Sequence, residues 1–183
     1  GCTVDTATNY NPLANIDDGS CTYPLAIGDT HQGGIIFYLD GNGGGLVCDI
    51  SDLAASEWGC YGTNVPGAAG TAIGTGMQNT IDIEAGCTTA NTAADRCANS
   101  TAQGYSDWFL PSKDELNQMY VNKAAINATA QANGGSAFTN SRYWSSTEYD
   151  NISAWNQNFY SGSQDNHTKS YNNYDEVRAV RAF

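Results

Sequence analysis

The sequence has few charged residues, and few of these are basic. Charged side chains make up 14% of the 183 residues, with seven Lys and Arg against nineteen Asp and Glu, so the formal net charge is −12. A surface that binds nucleic acid needs basic side chains to neutralise phosphates, and this composition disfavours such a partner. An acidic membrane surface would repel the chain for the same reason.

Long apolar runs and histidines are also scarce. No stretch approaches the roughly 20 consecutive apolar residues of a membrane-spanning helix, so we expect no direct membrane insertion. The only histidines are His31 and His167. A Ser–His–Asp arrangement needs a fixed, oriented imidazole, and neither histidine stands in a motif that would supply one, so we expect no enzyme of that type.

Cysteine, by contrast, is present in an even number. The six cysteines fall in local pairs, and none has the CxxC spacing of a zinc or redox site. We interpret them as disulfides formed in an oxidising, extracellular or cell-surface setting. Many pairings are open and nearest-neighbour pairing is the simplest, while buried free thiols in a cytoplasmic protein are the alternative. The nearest-neighbour pairs are Cys2 with Cys21, Cys48 with Cys60, and Cys87 with Cys97.

Residues 1–23 form a cysteine-bounded module that is too small for a core of its own. The stretch resembles a short repeat of bacterial surface proteins, and Pro24 marks the boundary to a main domain over residues 24–183. The oxygen-bearing side chains of the module either surround a structural calcium ion or form a cluster of Asx turns that closes on Gly19. The candidate calcium ligands are Asp5, Asn9, Asn11, Asn15, Asp17 and Asp18.

The main domain begins with a predicted β-hairpin and contains several predicted helices. Strands over 33–39 and 45–50 flank a glycine-rich turn. Met77, Ile81 and Ala85 recur four residues apart and predict a helix that ends at Gly86. Residues 93–98 are predicted as a short helix.

The sequence also predicts a capped helix that begins at Ser112. Ser112 with Glu115 three residues later forms a capping box, so Lys113, Asp114 and Glu115 are interpreted as a solvated helix start.

The last forty residues alternate apolar framework residues with polar runs. The apolar residues have the spacing of strands, and residues 176–183 are predicted to form a terminal strand that pairs with the first strand near Ile35. The predicted scaffold residues are Trp108, Trp144, Trp155, Phe159, Val177 and Val180.

The polar runs between the framework residues draw on seven residue types. With the framework positions set aside, they contain only Tyr, Asp, Asn, Ile, Ser, His and Thr. Each of these is Asn itself or the product of changing one adenine of an Asn codon. We therefore predict that these positions are substitutable contact residues for a ligand. They are Tyr149, Asp150, Asn151, Ile152, Ser153, Tyr160, Ser161, Ser163, Asp165, Asn166, His167, Thr168, Ser170, Tyr171, Asn172, Asn173, Tyr174 and Asp175.

This segment resembles the variable region of proteins that a retroelement diversifies by copying a template with errors at adenines. The framework stretches 143–148, 154–159 and 177–183 also resemble the DUF1566 family, to which the C-terminal domain of Legionella collagen-like adhesins belongs. The resemblance extends from about residue 27 to 183, with the variable region at about 143–183. It implies an α+β, C-type-lectin-like fold with small, mainly antiparallel sheets, two or more helices, long loops, paired termini and disulfides.

The resemblance implies a non-catalytic, ligand-binding surface protein that requires no cofactor. Tyrosines among small polar residues suit an antibody-like surface for a protein or glycan on another cell or particle. One alternative is a glycan-binding adhesin of the DUF1566 type without diversification, although the proline-containing motif of calcium-dependent lectins is missing after Pro111. Another is an enzyme like the formylglycine-generating enzymes, but their late redox cysteines have no counterpart, because every cysteine precedes residue 98.

Overall fold

The protein folds into two small β-sheets and four α-helices over the residues described by the computed structural model, which are 1–170, 172 and 174–183. The strands are β1 (Thr30–His31), β2 (Gly34–Leu39), β3 (Gly45–Cys48), β4 (Leu53–Ser56), β5 (Arg142–Glu148), β6 (Ser153–Asn158), β7 (Gln164–Thr168), β8 (Asp175–Val177) and β9 (Val180–Ala182). The helices are α1 (Gly76–Gly86), α2 (Ala93–Ala98), α3 (Lys113–Val121) and α4 (Lys123–Ala132), with a 3-10 turn at Ala102–Gly104. The predicted mixed α+β, disulfide-bonded class is confirmed, and its finer assignment as C-type-lectin-like stays a prediction.

The first sheet has the order β1-β2-β3-β9 and brings the end of the chain to the start of the main domain. The β2–β3 hairpin was predicted, but the expected pairing of the last strand with the strand near Ile35 is wrong. Ile35 pairs with Thr30 of β1, so that edge of β2 is occupied, and β9 pairs with β3 instead. The rings of His31 and Phe183 meet with centroids 4.5 Å apart.

The predicted terminal strand over 176–183 is two strands that belong to different sheets. β8 lies in the second sheet and β9 in the first. Between them the buried guanidinium of Arg178 donates to the Asp52 carboxylate at 2.6 Å and to the Asp49 carbonyl at 3.0 Å. A buried cation requires such partners, so the chain leaves the sheet where Arg178 turns inward.

The second sheet has the order β4-β8-β5-β6-β7. β5 and β8 are parallel, and the other pairs are antiparallel. At one edge, β4 contacts α2 through a hydrogen bond from the Arg96 side chain to the Ser56 hydroxyl. β7 forms the other edge and carries the segment predicted to bind a ligand.

The predicted capping box at the start of α3 is confirmed, and Asp114 is exposed as expected, but Lys113 is half-buried and Glu115 is buried. The Ser112 hydroxyl accepts from the Glu115 N–H at 3.3 Å, and the Glu115 carboxylate accepts from the Ser112 N–H at 2.7 Å. Glu115 is fully buried, and its other carboxylate oxygen accepts from the N–H of Gly74 in the loop before α1. Burial raises the pKa of Glu115.

Helix α1 forms where it was predicted, but it turns a polar side inward. Met77 and Ile81 are exposed, whereas Asn79 and Thr80 are buried. The Asn79 amide binds the Gly70 carbonyl at 2.7 Å, and the Thr80 hydroxyl accepts from the Leu110 N–H at 3.0 Å. These bonds to loop backbone decide the orientation of the helix.

Helix α4 was not predicted. Its alanine-rich sequence has high helix propensity, and it follows α3 after the single residue Asn122. Ile126 and Ala130 of this helix pack in the core. Alternation along β5 divides that core, with Tyr143 in one apolar cluster and Trp144 in the other.

Two disulfides form among the described residues, and one of them differs from the nearest-neighbour prediction. Cys2 pairs with Cys21 as predicted, whereas Cys60 pairs with Cys87. Cys48 and Cys97 are buried free thiols, so the pairs Cys48–Cys60 and Cys87–Cys97 were wrong. Cys48 lies in one core cluster, whereas Cys60 and Cys87 pack against the other, and burial raises the pKa of Cys48 to about 12. No helix in the described part of the chain is long and apolar enough to span a membrane.

Candidate ligand-binding site

The segment predicted to bind a ligand is built on the antiparallel strands β5, β6 and β7. β6 pairs with β7 without interruption from Ser153–Thr168 to Gln157–Gln164. The connections 149–152 and 159–163 therefore lie at opposite ends of these strands, roughly 14 Å apart along β7. The predicted contact residues follow the edge of the sheet and both of its ends.

The connection between β5 and β6 is closed by Asp150. Its carboxylate accepts from the Ile152 N–H at 2.9 Å, the Ser153 N–H at 2.7 Å and the Ser153 hydroxyl at 2.7 Å. These hydrogen bonds, the Ser153 hydroxyl first, lower the pKa of Asp150. The turn leaves Tyr149 and Ile152 exposed at its flanks.

The connection between β6 and β7 is closed by Asn158 and a glycine. The Asn158 side chain accepts from the N–H groups of Tyr160 at 2.9 Å and Ser161 at 3.1 Å. Gly162 has a φ of +82°, and a Cβ there would meet the Tyr120 ring at 2.6 Å, so only glycine fits. Tyr160 projects from this turn with 75% of its surface exposed.

Most of the predicted contact residues within the described part of the chain are exposed. The exposed ones are Tyr149, Asn151, Ile152, Tyr160, Ser161, Ser163, Asp165, Asn166, Asn172 and Tyr174. Half-buried ones are Asp150, His167, Thr168 and Ser170, and buried ones are Ser153 and Asp175. Tyr171 and Asn173 lie outside the described residues.

Asp175 and its neighbours form internal contacts rather than open surface. The Asp175 carboxylate accepts from the Asn156 amide at 2.8 Å and lies 3.1 Å from His167 Nδ1. The His167 ring also stacks on Trp144, with centroids 5.5 Å apart. We therefore assign Asp175 and Ser153 to the framework. His167 is half-buried.

Trp155 forms an aromatic cluster that the sequence did not reveal. It was predicted as scaffold, yet it is half-buried, unlike the buried Trp108, Trp144, Phe159, Val177 and Val180. The Tyr149 ring meets it edge to face at 5.3 Å, and the Lys113 ammonium lies 3.6 Å from its ring centroid. Lys113 is distant in sequence and is the first residue of α3, so no local signal connected it to Trp155.

The connection 149–152 lies next to an ion pair between Lys169 and Glu148. Lys169 is fully buried, and its ammonium lies 2.7 Å from Glu148, 3.0 Å from the Thr63 carbonyl and 4.8 Å from the Trp58 ring centroid. The Lys169 N–H donates to the Ile152 carbonyl at 3.0 Å. The loop after β4 adds a bond from the Gly62 N–H to the Asn151 carbonyl at 2.8 Å.

Four of the six side chains predicted as calcium ligands bind main-chain groups of the module. Asn11, Asp17 and Asp18 accept from the main-chain N–H groups two residues later, as in Asx turns, and Asn9 binds the main chain of Ser20 and Thr22. Within the described part of the chain, the side chains of Asp5 and Asn15 make no such bond. Among the described residues, no group of three or more His, Cys, Asp or Glu side chains is arranged to hold a metal ion. Calcium binding stays a prediction.

The comparisons with known proteins identify one family. The family model of the Lcl C-terminal domain matches residues 61–181. The matched range contains all four helices and strands β5 to β8, and with them the predicted contact residues. A search of curated proteins found no match.

Proposed function

Since the chain belongs to the Lcl C-terminal domain family, we propose that it is a non-catalytic, ligand-binding protein of an extracellular or cell surface. Family membership indicates a surface or adhesin-like protein, and the two disulfides fit an oxidising compartment. The ligand contacts β7 and the connections at its two ends. The target is a protein or glycan on another cell or particle, and binding requires no cofactor.

One observation carries this proposal. Exposed Tyr149 and Tyr160 lie in the connections at the two ends of β6, and exposed Tyr174 directly precedes β8, while adjacent framework residues such as Trp144 and Phe159 are buried. Tyrosine offers a large, stiff contact area at a low entropic cost, and neighbouring Asn, Ser and Asp supply hydrogen bonds. Three exposed rings in the connections of one sheet favour an interaction site over ordinary surface.

We further propose that these exposed positions are diversified by a retroelement. The restricted residue set around Asn codons supports this proposal, and so does the exposure of most of these positions. Ser153 and Asp175 are excluded from the contact surface because both are buried. We also propose that the fold is C-type-lectin-like.

The proposed diversification is tested by the DNA around the gene. A reverse transcriptase gene and a near-copy of the 3′ end are expected nearby, with adenines in that copy where the exposed positions differ from Asn. An ordinary adhesin gene would have neither.

Glycan binding without diversification is the second candidate, favoured by the Trp155 cluster. Aromatic rings of this kind stack on sugars, and Trp155 and Tyr149 are both accessible in part. Electrostatic adhesion to a polyanion is less favoured, because Arg178 and Arg181 are buried and paired with Asp52 and Asp107.

The binding proposal is tested by removing the exposed rings together. The labelled wild-type protein is applied to a glycan array and to a panel of bacterial cells. The triple variant Tyr149→Ala, Tyr160→Ala and Tyr174→Ala is compared with Tyr23→Ala, which removes an equally exposed ring elsewhere. Binding is expected to disappear in the triple variant and to persist in the control. Equal binding by both would refute the site.

A further inference from the structure

Strand β7 is the longest regular edge among the described strands. Its five residues pair with β6 without a bulge. At the opposite edge of the same sheet, β4 has an irregular register and contacts α2. The edges of the first sheet are the two-residue β1 and the three-residue β9.

The hydrogen-bond alternation shows which main-chain groups of β7 face outward. The Lys169 N–H donates to the Ile152 carbonyl, and the Asn158 N–H donates to the Ser163 carbonyl, on either side of the paired residues. In an antiparallel pair, bonded and non-bonded positions alternate, so Asn166 and Gln164 occupy non-bonded positions opposite Trp155 and Gln157. Their N–H and C=O groups point away from β6.

These outward groups of Gln164 and Asn166 accept and donate no main-chain hydrogen bond within the described part of the chain. Proteins usually protect such an edge with charged side chains, especially lysine, or with proline, a bulge or a covering element. β7 has the sequence Gln-Asp-Asn-His-Thr, which contains one acidic residue, Asp165, but neither lysine nor proline, and Asp165 and Asn166 are exposed. Among the described residues, no strand pairs with this edge at Gln164 and Asn166.

We propose that the partner at this surface is a protein that adds an extended segment to β7 at Gln164 and Asn166. This inference rests on the proposed function and narrows the ligand to a protein. Main-chain hydrogen bonds supply affinity in strand addition, and side-chain contacts supply specificity. Tyr160 at one end, and Tyr149 with Trp155 at the other, supply those contacts. A second copy is a poorer partner, because each copy carries a net charge of −12.

The test uses a proline substitution that removes one outward N–H. Asn166→Pro deletes a donor that does not bond to β6, which is the position where an edge strand accepts proline. Asn166→Ala is the matched control, since it loses the side chain and keeps the N–H. The probe is a phage-displayed library of short linear peptides selected on the immobilised wild-type protein.

The selected peptides are expected to bind Asn166→Ala about as well as the wild type and Asn166→Pro at least about tenfold more weakly. Amide hydrogen exchange of the wild type supplies a measurement that does not depend on how the proline variant folds. A bound peptide is expected to slow exchange at Gln164 and Asn166, and unchanged exchange there counts against strand addition.

Other outcomes overturn strand addition by a protein partner. These are a selection without binders, peptides that bind the proline variant as tightly as the wild type, or a wild-type dimer that Asn166→Pro dissociates. Glycan binding that depends on the three tyrosines, without any peptide that depends on Asn166, would leave the proposed function standing and overturn this inference alone.

Discussion

The ammonium nitrogen of Lys169 lies 2.7 Å from a carboxylate oxygen of Glu148, with the Lys169 side chain fully enclosed. Glu148 ends β5 and also accepts from the Val65 N–H at 3.0 Å. Three segments that are distant in sequence therefore meet at one ion pair beneath the proposed contact surface. The exposed side chains above it are free to change, because the support does not depend on them.

Replacement of Lys169 with methionine is expected to destabilise the fold by about 3 kcal/mol. The substitution keeps the apolar stem and leaves the nearly buried Glu148 carboxylate without its counter-charge, which is the costly way to break such a pair. Urea unfolding monitored by circular dichroism measures the free energy. The exposed Arg142→Gln is the control and is expected to cost less than about 0.5 kcal/mol. Equal costs would contradict a buried pair.

Thiol labelling is expected to separate the two disulfides from the two free cysteines. Cys48 and Cys97 are buried with raised pKa values, so iodoacetamide should leave the folded protein unmodified. In denaturant without reductant, mass spectrometry should find two labelled residues. Three disulfides would give none, and labelling of the folded protein would contradict the burial.

Local sequence signals predicted the elements that local interactions form. The β2–β3 hairpin follows from its glycine-rich turn, and α3 follows from the Ser112–Glu115 capping box. The failures depend on contacts between distant residues. Cys60 bonds to Cys87 because the loop after β4 passes the C-terminal end of α1. The spacing of the cysteines along the sequence does not predict that contact.

The candidate site also combines features that local sequence predicted with features that depend on contacts between distant residues. Codon-related residue types indicated which positions are polar and exposed, and most of the described ones are. The roles of Lys113 and Asp175 required the fold, because each depends on a partner that is distant in sequence. Periodicity predicted the helix that contains Met77 and Ile81 but not which side of it faces the core, which Asn79 and Thr80 help to decide through bonds to loop backbone.

The buried Glu115 is expected to make stability depend on pH. Burial raises its pKa above 4.5, so the folded protein holds this proton more tightly than the unfolded chain does. The contribution of that proton to stability is complete below the unfolded pKa and is lost as pH rises through the folded pKa. The wild type should therefore lose stability relative to Glu115→Gln as pH rises from about 4.5.

Urea unfolding at a series of pH values checks this difference. Asp114→Asn makes the same chemical change at an exposed position in the same helical turn, and it should stay within about 0.5 kcal/mol of the wild type. A constant difference between the wild type and Glu115→Gln across the series would show that Glu115 does not titrate in this window.

Truncation of two consecutive residues in the β6–β7 connection should change the free energy of unfolding by very different amounts. Phe159 is 1% exposed and packs against Phe138 and Tyr143, whereas Tyr160 is 75% exposed. Phe159→Ala should cost about 3–5 kcal/mol, since it removes a core ring and leaves a cavity. Tyr160→Ala should change the free energy of unfolding by less than about 0.5 kcal/mol. A surface rewritten by a retroelement requires this difference, because a fold whose stability depended on the varied side chains would be lost in many copies. Urea unfolding of both variants measures the difference, and a large cost at Tyr160 would make that position part of the framework and remove it from the proposed contact surface.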